Sequence, residues 1–125
     1  LNDKNGKPLI GFAHAWYGVK KAINSERNLR LHVLASICVI AGGIIFRLSI
    51  IKWTVIILAI GLVLVAEFLN TAIEKMINYV KPDIHPRAKE IKDIAAGAVL
   101  IASVIAAAVG VLIFIPEFFR WINGF

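Results

Sequence analysis

The chain has 125 residues, 59% of them hydrophobic, with a mean hydropathy of +0.80 and a formal charge of +6. Water-soluble domains avoid this combination and small membrane proteins show it, so an ordinary soluble enzyme is excluded at the outset. The single cysteine, Cys38, sits in an apolar run, which leaves neither a disulfide framework nor a paired-thiol metal site.

The first residue is Leu1, so a few residues are expected to precede it, and no signal-peptide order of charged, apolar and cleavage regions is expected there. In FAHAWYGVKKAINSERN, Phe12, Trp16, Val19 and Ile23 recur at intervals of four, three and four, while Lys20, Lys21 and Asn24 point elsewhere. The spacing predicts an amphipathic helix lying in the headgroup region. Leu29 to Phe46 is an apolar run of 18 residues, which at ~1.5 Å per residue covers ~27 Å and spans a bilayer. Trp53 to Val80 has 28 residues and would reach ~42 Å, so its last turns project into the interface. Ile94 to Ile115 is a run of 22 uncharged residues that Pro116 is expected to end, with EFFRWINGF beyond it. The expected division is a surface segment over 1–28, a three-helix membrane domain over 29–115 and an interfacial tail over 116–125. The fold class is thus an all-α membrane protein with three transmembrane helices and an N-terminal surface helix.

Lysine and arginine are unevenly spread: six before residue 31, two at Arg47 and Lys52, five from Lys75 to Lys92, and Arg120. The positive-inside rule predicts a cytoplasmic N-terminus and 75–92 segment, with the 47–52 turn and the C-terminus outside. This topology accounts for the cations and leaves no basic-aromatic face for nucleic acid. Trp16, Trp53 and Trp121 fall at span edges as interface anchors, and His32 reads as an interfacial residue capping the first span. Ala98, Ala102, Ala106 and Gly110, four residues apart, form a small-residue stripe for close helix contact.

The second span ends in VAEFLNTAIEKMIN. On a helix, Glu67, Asn70, Thr71, Glu74 and Asn78 share one face. Glu74 and Asn78 have a bland reading as a solvated helix end. Glu67 does not, because an ionisable group inside an apolar span is expensive and marks a functional site by default. Glu26, Lys92 and Asp93 lie at similar depth at the other helix ends. Carboxylates from separate elements beside a lysine suit a magnesium phosphate, since Mg²⁺ takes one or two carboxylates plus phosphate oxygens. No Gly-rich phosphate loop is present.

The stretch EFLNTAIEKMINYVKPDIHPRAKEIKDIAAGAVLI resembles the signature of the bacterial integral-membrane diacylglycerol kinase and undecaprenol kinase family, and AWYGVKKAIN and SERNLRLH match its N-terminal part. The resemblance covers roughly residues 7 to 115. It implies a homotrimer in the bacterial inner membrane, where ATP and a membrane lipid alcohol meet at sites between neighbouring chains. Carried onto matching positions, it implies Glu67 as general base, Asn70 near the reacting groups, Glu26 and Glu74 as Mg²⁺ ligands, and Lys92, Asp93 and His85 at the nucleotide. Lys7 and His14 align with N-terminal nucleotide contacts but differ from the residue types of the best-studied branch. Asn78 also departs, standing where that branch has aspartate.

The family divides by lipid. Ala96 stands where the diacylglycerol branch tends to carry serine, and KDIAAGAVL is more similar to the undecaprenol branch. A site without that hydroxyl lacks a donor for an ester group. The lipid tail is expected in a groove between the surface helix, from Trp16 to Ile23, and the spans. A small ion-coupled transporter or channel subunit is the rival reading for Glu67, but it has little use for Glu26, Glu74 and Lys92.

Overall fold

The computed structural model describes residues 8–81 and 85–124, and every regular element among them is an α-helix. These are α1 (Pro8–Ser25), α2 (Arg27–Ile45), α3 (Ile50–Val80) and α4 (Pro86–Asn123). The last three are long and apolar enough to cross a membrane, and α3 is the most buried of them.

The corner between α1 and α2 is one residue wide. Glu26 takes an extended conformation there, and the Arg30 guanidinium reaches back from α2 to the terminal carbonyls of Ile23 (3.0 Å) and Asn24 (2.9 Å). That bond set satisfies acceptors a helix end leaves open, and it fixes Glu26 at the start of the first span.

The α2–α3 turn is as tight. The Arg47 N–H bonds to Ile44 O and the Leu48 N–H to Gly43 O, with Arg47 at φ 54°. This is a Schellman motif with arginine in the left-handed position that glycine usually holds. Ser49 then caps α3 by accepting the Lys52 N–H, so α3 begins at Ile50, three residues before the expected start. The Trp53 ring lies directly against Gly43, where a Cβ would come within 2.6 Å of it.

α3 and α4 pair antiparallel at the centre of the molecule. Lys52 at the start of α3 binds Glu117 near the end of α4, and Lys92 at the start of α4 donates to the Asn78 carbonyl oxygen near the end of α3. These pins are 26 residues apart on α3 (52 to 78) and 25 apart on α4 (92 to 117), so the helices run alongside each other without slipping. The seam on α3 is Ile56, Val63, Glu67 and Thr71; on α4 it is Ala88, Ala95 and Ala102, seven residues apart. The close contact therefore follows a heptad rather than the expected four-residue stripe. Ala102 belongs to both, while Ala106 and Gly110 border a cavity instead.

α4 does not stop at Pro116 but continues to Asn123, so 116–123 extend the third span's helix. Proline in a helix interior forfeits one backbone bond. Here packing holds the helix on both sides of the break, because Phe46 meets Phe114 (6.1 Å between ring centroids), Phe118 (6.5 Å) and Trp121 (6.0 Å), and buried Glu117 joins Lys52 and Arg120.

α1 turns small residues toward the bundle. Gly11 and Ala22 are buried, whereas Phe12 and Trp16 are exposed and free to meet lipid. Small side chains let the α1 backbone approach α3, which the aromatic face could not do.

Candidate active site

An uninterrupted α3 carries the polar stripe of the second span on one face, and burial falls along it. Glu67 and Thr71 are buried, Asn70 and Glu74 are half-buried, and Asn78 is exposed. The stripe thus rises from the bundle interior to the surface, with Glu67, only 5% exposed, at its deepest point.

Among the described residues, the ionisable group within ion-pair distance of Glu67 is His32 of α2, whose Nε2 lies 3.2 Å from Oε1. His32 therefore turns into the bundle rather than simply capping the first span, and sequence reasoning missed this pair. The available signal was two polar residues at comparable depth in separate spans. One turn further along α3, the Asn70 amide nitrogen donates to Glu74 Oε1 at 3.3 Å, while Asn70 Oδ1 is buried with no hydrogen-bond partner among the described residues. A buried acceptor without a donor is costly, and a bound hydroxyl or water would relieve it.

Glu26 and Glu74 belong to different elements. Lys75, next to Glu74, reaches Glu26 Oε1 at 3.8 Å, so the corner of α1 and α2 and this turn of α3 face each other. No group of three or more His, Cys, Asp or Glu side chains forms a ready metal cage among the described residues. Two half-buried carboxylates from facing elements nonetheless fit Mg²⁺ carried by a nucleotide, because phosphate and water oxygens supply the remaining ligands.

The remaining site residues are placed more loosely. Lys92 is engaged by Asn78, so the amide at that position holds the lysine between α3 and α4. Asp93 pairs with Lys89 one turn earlier, on the exposed face of α4. His85 is the N-cap of α4, its Nδ1 accepting the Arg87 N–H at 3.1 Å. His14 is exposed on α1, and Lys7 lies outside the described residues. Ala96 is exposed on α4, beside the buried Ala95 of the seam.

The groove expected along the surface helix exists. It has a volume of about 400 Å³ between α1 and α3, with Ala15, Gly18 and Ala22 on one wall and Phe68, Thr71 and Ala72 on the other. Trp16 is not part of its lining. A second cavity of about 220 Å³ begins at His32 and runs between α2, α3 and α4 past Val63 to Gly110.

The sequence matches the family described as prokaryotic diacylglycerol kinase over residues 13–114. It is 42% identical over 106 residues to an undecaprenol kinase of Bacillus subtilis, covering 85% of this chain and 86% of that protein. It is 38% identical over 109 residues to a diacylglycerol kinase of Synechocystis, covering 86% and 62% respectively. A diacylglycerol kinase of Escherichia coli is 27% identical over 93 residues, covering 74% and 76%. The match takes in the corner at Glu26, the whole polar stripe and the start of α4, so the chain is a member of the prokaryotic diacylglycerol kinase family of membrane lipid kinases.

Proposed function

We propose that this enzyme transfers the γ-phosphate of ATP to the primary hydroxyl of undecaprenol, with diacylglycerol as its second acceptor. The observation that carries the mechanism is the buried Glu67 carboxylate, set in an apolar helix one turn from Thr71, which lines the α1–α3 groove. Glu67 takes the proton of the lipid hydroxyl as that oxygen attacks phosphorus. The unpaired Asn70 Oδ1 orients the incoming hydroxyl by accepting a hydrogen bond from it before transfer. Lys92, exchanging its bond with Asn78 for a phosphate oxygen, offsets charge on the nucleotide, with Asp93, His85 and His14 as further nucleotide contacts and Lys7 assigned to it by the resemblance alone. Glu26 and Glu74 would hold Mg²⁺, whose chemistry when bound is to neutralise phosphate charge. The tail enters the bilayer along the α1–α3 groove.

Identity to the Bacillus undecaprenol kinase over most of both chains supports the acceptor assignment, and so does alanine at position 96. The charge distribution supports a cytoplasmic N-terminus and active site, with Ser49 and the C-terminus across the membrane. The working unit is a homotrimer, as the family resemblance implies.

The test is phosphorylation of undecaprenol and diacylglycerol in one bilayer composition. The expected result is a higher kcat/KM for undecaprenol, with Ala96→Ser narrowing the gap by improving diacylglycerol. A wild-type enzyme that strongly prefers diacylglycerol overturns the acceptor assignment.

A further inference from the structure

Phosphoryl transfer to an alcohol leaves a proton on the general base, and each turnover needs that proton removed. For an exposed carboxylate water does this at once. Glu67 is 5% exposed and lies on the buried seam of α3 with Val63 and Thr71, so its carboxyl group meets little water directly. The cations nearest the site are held elsewhere. Arg30 is bonded to the end of α1, Lys75 faces Glu26, and Lys92 is held by Asn78. His32 stands apart from these. Its Nε2 is 3.2 Å from Glu67 Oε1, while its side chain as a whole is 29% exposed and borders the cavity between α2, α3 and α4.

We propose that His32 positions the Glu67 carboxylate and carries its proton out of the bundle after each transfer. This rests on the reading of Glu67 as general base. The lipid O–H bond breaks as its proton joins Glu67 and the oxygen bonds to phosphorus, with ADP leaving. The proton then passes from the Glu67 carboxyl to Nε2 of neutral His32, giving an imidazolium and restoring the carboxylate. The imidazolium loses its outer Nδ1 proton to water, which leaves Nε2–H donating to the restored carboxylate; proton exchange with water then moves the ring hydrogen back to Nδ1 and frees the Nε2 lone pair for the next transfer. No oxidant, reductant or further reactant enters. An imidazole serves this role because its two nitrogens accept on one side and release on the other near neutral pH. His32 touches neither phosphate nor lipid in this scheme; it is a positioning residue acting through Glu67.

The experiment uses the full chain in bilayers with undecaprenol and MgATP, comparing wild type, His32→Gln, His32→Ala and Glu67→Gln. Glutamine keeps an N–H toward Glu67 but accepts no proton, so it preserves position without the relay. His32→Gln is expected to form about one product per site at near wild-type rate and then to slow by roughly tenfold or more, whereas His32→Ala, which also loses the positioning contact, should be slower in the first turnover as well. KM for ATP should stay within about twofold, and added imidazole should restore steady-state turnover in His32→Ala. Steady turnover near wild type in His32→Gln, or a first turnover slowed as much as later ones with no imidazole rescue, overturns the proposal. Glu67→Gln separates the two ideas: if that variant turns over normally the base assignment itself fails, whereas its collapse beside an unaffected His32→Gln removes the relay alone.

Discussion

Three residues, Glu26, Glu74 and Arg47, bear directly on what this chain gains and gives up. If Glu26 and Glu74, on facing elements, hold one ion as proposed, Glu26→Gln and Glu74→Gln should each raise the magnesium concentration needed for half-maximal activity. The double variant should lose less than the two single losses combined, because both changes disable one site. Additive losses would separate the two carboxylates. Arg47 is the opposite case, a residue whose backbone conformation suits glycine better. Arg47→Gly should raise stability by about 0.5–1 kcal/mol, read as a higher thermal midpoint in the same detergent. At this scale Glu67 is legible in the sequence, since a carboxylate inside an apolar span announces itself. His32 is not, because its partner is 35 positions away and the contact depends on how α2 is rotated about its axis. Periodicity along one helix carries no information about that angle.

Among the elements, the ends of α3 and α4 are held by different chemistry. Glu117 is bonded to both Lys52 and Arg120. Removing the carboxylate leaves two cations facing each other, whereas removing Lys52 leaves Glu117 still paired with Arg120. Glu117→Gln should therefore lower the thermal midpoint more than Lys52→Gln does. Gly43→Ala should destabilise by about 1–3 kcal/mol, as the methyl would press on the Trp53 ring and on Leu48. The spans themselves are readable from hydropathy and length, and α1 from its amphipathic spacing. The run of α4 past Pro116 is not, because proline predicts a stop and tertiary contacts, Phe46 against Phe118 and Trp121 and Glu117 on Lys52, hold the helix together beyond it. The same holds for the heptad seam. Alanine is frequent all along α4, and the partner helix selects which alanines are used.

For the whole molecule, the two pins between α3 and α4 act as a gauge of membrane thickness. Lys92 and Glu117 are 25 residues apart on α4, or ~38 Å at ~1.5 Å per residue. That exceeds the ~30 Å hydrocarbon layer and falls just short of the ~40–45 Å that includes the headgroups. Both pins therefore reach headgroup level when the helix pair stands close to the membrane normal. In a bilayer several ångströms thinner the helix pair must lean, and leaning changes the depth at which Glu67 meets a lipid hydroxyl anchored at the interface. Turnover measured across lipids of increasing chain length should rise to a maximum and then fall, with the thermal midpoint following the same curve. The enzyme that phosphorylates a membrane lipid would in this way also register the thickness of the membrane in which that lipid resides.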